Sequence, residues 1–143
     1  MNEWVRQVKD FHETYGLPVK KQGELGQMDF EEMKSLLELR SRLIKEEANE
    51  TVKAMADYVK LTEENKLDER KDAHKEILDG IGDTIVVCIG AALALGIDIE
   101  EVMKRIYASN MSKLDKDGKP IYREDGKVLK GPNFFNPNLV DLM

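Results

Sequence analysis

The sequence holds one cysteine, Cys88, which cannot form an intrachain disulfide. It stands in the apolar run Thr84-Ile-Val-Val-Cys-Ile-Gly-Ala91, where a small buried hydrophobe in a reducing compartment is expected rather than a catalytic thiol. The N-terminus, Met1-Asn-Glu-Trp-Val-Arg, lacks the basic start and apolar centre of a secretory signal, so a cytosolic chain is expected. The most apolar stretch, Thr84 to Ile97 between Asp83 and Asp98, falls short of the roughly 20 residues that cross a bilayer, which points away from a membrane partner. Cations are outnumbered, 22 Lys and Arg against 28 Asp and Glu, and a net charge of -6 disfavours binding to a nucleic-acid backbone. What is present is 143 residues, 41% hydrophobic and 35% charged, enough for one domain with a real core and long solvated helical faces.

Helical spacing dominates the first three-quarters of the chain. Trp4, Val5, Val8, Phe11 and Tyr15 predict a helix from about Glu3 to Tyr15 that stops at Gly16. Gly16 to Met28 reads as a loop, and Asp29 with Glu32 makes a capping-box-like start for a second helix. No Pro or Gly interrupts from Asp29 to Leu78, yet the polar stretch Thr62 to Asp72 lacks apolar spacing. A turn between antiparallel helices is therefore expected there, with helix three running from about Lys71 to Leu95 and capped by Gly96. Asp98 with Glu101 opens a fourth helix through about Asn110. The fold class expected is all-α: an antiparallel four-helix bundle core over residues 1–111. The turn-rich tail, 112–143, belongs to the same domain, either packed as a lid or free, with Pro120-Ile-Tyr-Arg and Lys127-Val-Leu-Lys forming a small hairpin about Asp125-Gly126.

Two acidic clusters interrupt the apolar faces. On helix two, in Glu46-Glu47-Ala-Asn-Glu50, the carboxylates of Glu47 and Glu50 share a face with Leu39, Leu43 and Ala54. On helix three, Glu76, Asp79 and Asp83 line up with Val87, Gly90 and Ala94. Burying several carboxylates without partners costs several kcal/mol each, so the pattern calls for a cation. The cluster is all oxygen, with neither Cys nor His at ligand spacing, so Mg²⁺ or Mn²⁺ fits and zinc does not. Mg²⁺ fills its octahedron with water and phosphate oxygens, which makes a di- or triphosphate the natural substrate and phosphoanhydride hydrolysis the expected reaction. Glu47 or Glu50 is the candidate base. No EF-hand loop is present, which weakens a calcium-buffer reading.

Glu46-Glu47-x-x-Glu50, 25 residues, then Glu76-x-x-Asp79 resembles the paired acidic motif of the all-α nucleoside triphosphate pyrophosphohydrolases, which include MazG, the dimeric dUTPases and phosphoribosyl-ATP pyrophosphohydrolase. The resemblance implies Glu47, Glu50, Glu76 and Asp79 as Mg²⁺ ligands, with Asp83 a further candidate and Glu46 assisting the metals or the water. Phe11-His12, Asn110-Met-Ser-Lys113 and Asp125-Gly-Lys-Val-Leu-Lys-Gly-Pro-Asn133 resemble the phosphoribosyl-ATP pyrophosphohydrolase-like branch with dUTP-hydrolysing members. That implies a homodimer or dimer of dimers, and cleavage between the α and β phosphates to a nucleoside monophosphate and pyrophosphate.

Lys113, Lys127 and Lys130 are candidates to reach substrate phosphates from the tail, and Asn110 to read a base edge. His12 is a candidate to stack on or hydrogen-bond a base. Arg40 and Arg42 could pair with the acidic motif or with phosphate. The rivals are hydrolysis of phosphoribosyl-ATP itself and a non-catalytic helical dimerisation module whose acids pair with Arg40, Arg42 and Lys45.

Overall fold

Helix ends here are set by a few polar side chains and by residues with positive φ. Asn2 Oδ1 accepts from the backbone N–H of Trp4 (2.8 Å) and Val5 (3.3 Å), Asp29 from Glu32 (2.9 Å) and Asp98 from Glu101 (3.1 Å). In the computed structural model, which describes residues 1–143, these caps open α1 (Glu3–Thr14), α2 (Phe30–Glu63) and α4 (Ile99–Met111), and α3 (Leu67–Ala94) completes the set. No strand is formed, and single 3₁₀ turns occur at Leu25–Gln27 and Val140–Leu142.

Helices α1, α2 and α3 end in the same way. Gly16, Asn65 and Gly96 take φ of +68°, +55° and +72°, and the N–H after each bonds back five residues, Leu17 to His12, Lys66 to Leu61 and Ile97 to Ala92. The reversal between α2 and α3 is thus only Glu64–Lys66, and α3 starts at Leu67, not near Lys71. The polar stretch expected to be the turn is instead mostly solvated helix: Asn65, which tolerates the left-handed region, makes the turn without glycine.

α2 and α3 run antiparallel, with small residues lining their seam. Thr51 and Ala54 of α2 meet Ala73 and Gly80 of α3, all buried. A Cβ on Gly80 would lie 2.3 Å from Thr51 Oγ1 and 3.2 Å from Thr51 Cα, so the backbones approach as closely as glycine allows. Thr51 Oγ1 donates to the Glu47 carbonyl (2.7 Å), Thr84 Oγ1 donates to the Gly80 carbonyl (2.6 Å), and the two hydroxyls stand 3.4 Å apart across the seam. α1 packs on the far half of α3 through Val5, Val8 and Ile89, with Leu93 and Ile99 beside them.

Only 15 of 143 residues are buried, and no large side chain is fully so, which leaves long apolar faces open. Val52, Met55 and Val59 on α2 and Leu78, Ile81, Ile85 and Val86 on α3 are exposed. Cys88, expected to be buried, is exposed too. It lines a groove of about 550 Å³ with Trp4, Ile85 and Met103 between α1, α3 and α4. By length and mean hydropathy α3 could cross a membrane, a longer apolar window than the sequence reading allowed, although its Ile89, Ala91, Ala92 and Ala94 are packed inside this chain.

The expected hairpin reduces to one antiparallel bridge, Tyr122 to Val128, around Asp125-Gly126, because the flanking segments pair no further. The tail does not dangle. Arg105 of α4 holds the Asp141 carboxylate (2.6 and 3.1 Å) and the Asn138 carbonyl (2.9 Å), and Ser109 Oγ donates to the Phe135 carbonyl (2.8 Å).

Gly80 and Gly82 should therefore respond oppositely to alanine. Gly80→Ala must move Thr51 and should lower stability by about 1–3 kcal/mol. Gly82, where a Cβ meets nothing within 4 Å, should gain up to about 1 kcal/mol from helix propensity. Urea unfolding of both variants decides, and equal effects would contradict the seam described.

Candidate functional site

The contact of Thr51 with Gly80 fixes which acids face one another. One turn before Thr51 on α2 lies Glu47; beside Gly80 on α3 lies Asp79, and one turn on lies Asp83. Glu50 and Glu76 share a cleft of about 240 Å³ with Lys53, Ala54, Asp57 and Ala73. The two sequence motifs thus face each other across the seam.

Their burial differs from the expectation. Glu47 is half-buried, while Glu46, Glu50, Glu76, Asp79 and Asp83 are exposed. The innermost line of the seam is taken by Thr51, Ala54, Ala73 and Gly80, which sets the carboxylates on its flank rather than in the core. Glu47 feels the cluster most. Its carboxyl is raised above the ordinary 4.5 first by burial, then by the charges of Glu50, Asp83, Asp79 and Glu46. Asp83 therefore belongs with the cluster as much as Asp79 does.

None of these six carboxylates is ion-paired. The chain's ten ion pairs all involve other acids, and Lys53, which lines the cleft with Glu50 and Glu76, is held by Asp57 at 2.9 Å. Arg40, Arg42 and Lys45 form no ion pair either, which removes the salt bridges that a purely structural bundle would have used to neutralise the motif. No three of the acids converge tightly enough to chelate one ion as they stand. The donor set nevertheless suits a hard divalent cation: every group is a carboxylate, the charges repel one another, and no protein cation forms an ion pair with them.

The other expected residues lie at two separate places. Asn110 is exposed in the last turn of α4, Lys113 is half-buried just beyond it, Lys127 is exposed beside the Asp125-Gly126 turn, and Lys130 sits 4.7 Å from the Phe134 ring centroid. None of them bonds to the acids. His12 is buried at the end of α1, its Nδ1 2.8 Å from the Pro18 carbonyl oxygen. The seam residues Thr51, Gly80 and Thr84 escaped the sequence reading. Their signal was present, since Glu47 to Thr51 and Gly80 to Thr84 are both spaced by four, but small residues between acids carry no hydrophobic period.

The family model for phosphoribosyl-ATP pyrophosphohydrolase matches residues 8–110, most of the chain, including His12, both acidic motifs and Asn110. No curated protein matches the chain.

Glu47 gives the site a pH signature. Because the folded state raises its pKa, a metal-free protein should lose stability as pH rises from about 4.5 through the raised value, and the loss should level off above it. Glu47→Gln should flatten that slope. Near neutral pH, Mg²⁺ should raise the melting temperature of the wild type and do so less for the variant. A wild-type melting temperature that ignores both pH in this window and Mg²⁺ would contradict the cluster's electrostatics.

Proposed function

The chain belongs to the phosphoribosyl-ATP pyrophosphohydrolase family, of the MazG-like all-α superfamily, and from that premise we propose a Mg²⁺-dependent enzyme. It hydrolyses the α–β phosphoanhydride of a nucleoside triphosphate, giving the monophosphate and pyrophosphate. Hydrolysis of phosphoanhydrides is the family's chemistry, which generally depends on a divalent metal. The observation that carries the reading to these residues is the set of six unpaired carboxylates facing each other across the α2–α3 seam.

Glu47, Glu50, Glu76 and Asp79 would hold the metal, with Asp83 a further donor, Mg²⁺ being preferred and Mn²⁺ an acceptable substitute. When bound, the cation neutralises phosphate charge and acidifies water. Glu46 supports the attacking water from the rim of α2. Glu47 or Glu50, whichever is free of the ion, accepts its proton. Asn110, Lys113, Lys127 and Lys130 bring polar and cationic groups from the end of α4 and the tail to the nucleotide, and His12 contacts its base.

The substrate proposed is dUTP or another non-standard deoxynucleotide. Phosphoribosyl-ATP is an equally supported reading, because the matching family carries its name. The exposed strips on α2 and α3 suit a second copy of the chain, so a homodimer or dimer of dimers in the cytosol completes the proposal.

Pyrophosphate release from dUTP, the standard NTPs and dNTPs, and phosphoribosyl-ATP, each with Mg²⁺ and with EDTA, tests the reading. Metal-dependent release of pyrophosphate from at least one is expected, and Glu50→Gln should lower kcat by about 100-fold or more while the helices persist by circular dichroism. No release by a folded protein, or full activity in the variant, would refute it. Sedimentation should give twice the 16.3 kDa chain mass or a multiple of that, and a stable monomer would remove the dimer.

A further inference from the structure

Only one buried side-chain polar atom in the molecule has no hydrogen-bond partner, Nε of Arg40. Arg40 is 6% exposed and makes no hydrogen bond or ion pair, and burial alone pulls its pKa down, with no acid near enough to offset it. Its Nη1 and Nε2 of His12 converge on the same bare backbone: a Cβ on Gly90 would lie 2.8 Å from Nε2 and 3.5 Å from Nη1. His12 is 3% exposed, and its Nδ1 faces the Pro18 carbonyl oxygen, which can only accept. Nδ1 therefore carries a hydrogen, and in that tautomer Nε2 is the ring's acceptor. Neighbouring side chains thus present a donor fork and an acceptor that bond to no other group of the chain.

Position decides which part of a nucleotide would meet them. Arg40 is seven residues before Glu47 on α2, and Gly90 is seven after Asp83 on α3, so the pair lies two turns, roughly 10 Å, along the seam from the acids. Phosphates gathered on cations at the acids do not extend that far, whereas a nucleoside continues beyond its α-phosphate for about that reach. Resting on the nucleotide reading above, we propose that Arg40 and His12 form a base-reading pair selective for a carbonyl beside a ring N–H. Arg40 donates to the carbonyl oxygen and His12 Nε2 accepts from the ring N–H. Uracil and guanine present that edge; cytosine and adenine held in the same register set an amino group against the Arg40 donor and a bare ring nitrogen against the His12 acceptor, which pairs donor with donor and acceptor with acceptor. Gly90, without a side chain, leaves the room in which the His12 ring sits beside Arg40.

Equilibrium binding of the monophosphates dUMP, dGMP, dCMP and dAMP with Mg²⁺ tests this without turnover. The wild type should bind dUMP and dGMP at least about tenfold tighter than dCMP and dAMP, and 3-methyl-dUMP, which lacks the ring N–H, should fall to the weaker group. Arg40→Gln and His12→Phe should flatten the preference. The wild-type comparison with 3-methyl-dUMP stands even if these buried substitutions unfold the chain. Equal binding of all five monophosphates would overturn the pair's role while leaving a nucleotide site in place. No binding of any would remove the nucleotide reading, and this pair's role with it. An Arg40→Gln chain that keeps the preference but dissociates the oligomer would assign Arg40 to a subunit contact and also overturn the proposal.

Discussion

The close approach of α2 and α3 at Thr51 and Gly80 is the constraint on which the rest depends. Two long helices could pair in many registers, but a threonine seated where glycine leaves no side chain fixes one of them. Each threonine satisfies its hydroxyl on its own helix, so the contact costs no stranded polar group. Once that register holds, the two acidic motifs must face each other. The packing contact is thus also the device that assembles the site.

Electrostatics work against the same arrangement. Burial and then the neighbouring acids raise the proton affinity of Glu47, and elsewhere on the surface the chain pairs lysines and arginines with its acids but not here. An unpaired charge cluster on a chain with so few buried residues opposes folding, most at half-buried Glu47 where solvent screens it least. A divalent cation would relieve it at the acids. A covered apolar surface would do the same for α2 and α3, whose exposed Val52, Leu78 and Ile81 have no partner within the chain.

Much of this was legible in the sequence, for physical reasons. The caps at Asp29 and Asp98 and the stop signals at Gly16 and Gly96 are local chemistry, so the helices they bound follow from a few neighbouring residues. The α2–α3 turn was not, because Asn65 does without glycine or proline and the solvated first turn of α3 has no apolar period to show. The acidic residues could be named but their burial could not, since helical periodicity gives a face and not the neighbour that covers it. Cys88 was misjudged for the same reason: an apolar run predicts burial only once something packs on it. Arg40 read as a cation free to pair with the acidic motif or with phosphate. Only the three-dimensional meeting of α1, α2 and α3 shows it enclosed and unpaired.

The central claim is that the paired helices hold a divalent ion through the facing carboxylates. Electron paramagnetic resonance of added Mn²⁺ reads this directly, since bound ion loses the sharp six-line spectrum of free ion. Saturable loss of that signal is expected for the wild type, with displacement by Mg²⁺, and little or none for a chain carrying Glu47→Gln, Glu50→Gln, Glu76→Gln and Asp79→Asn. Undiminished Mn²⁺ binding by that variant, folded, or no binding by the wild type, would contradict the account.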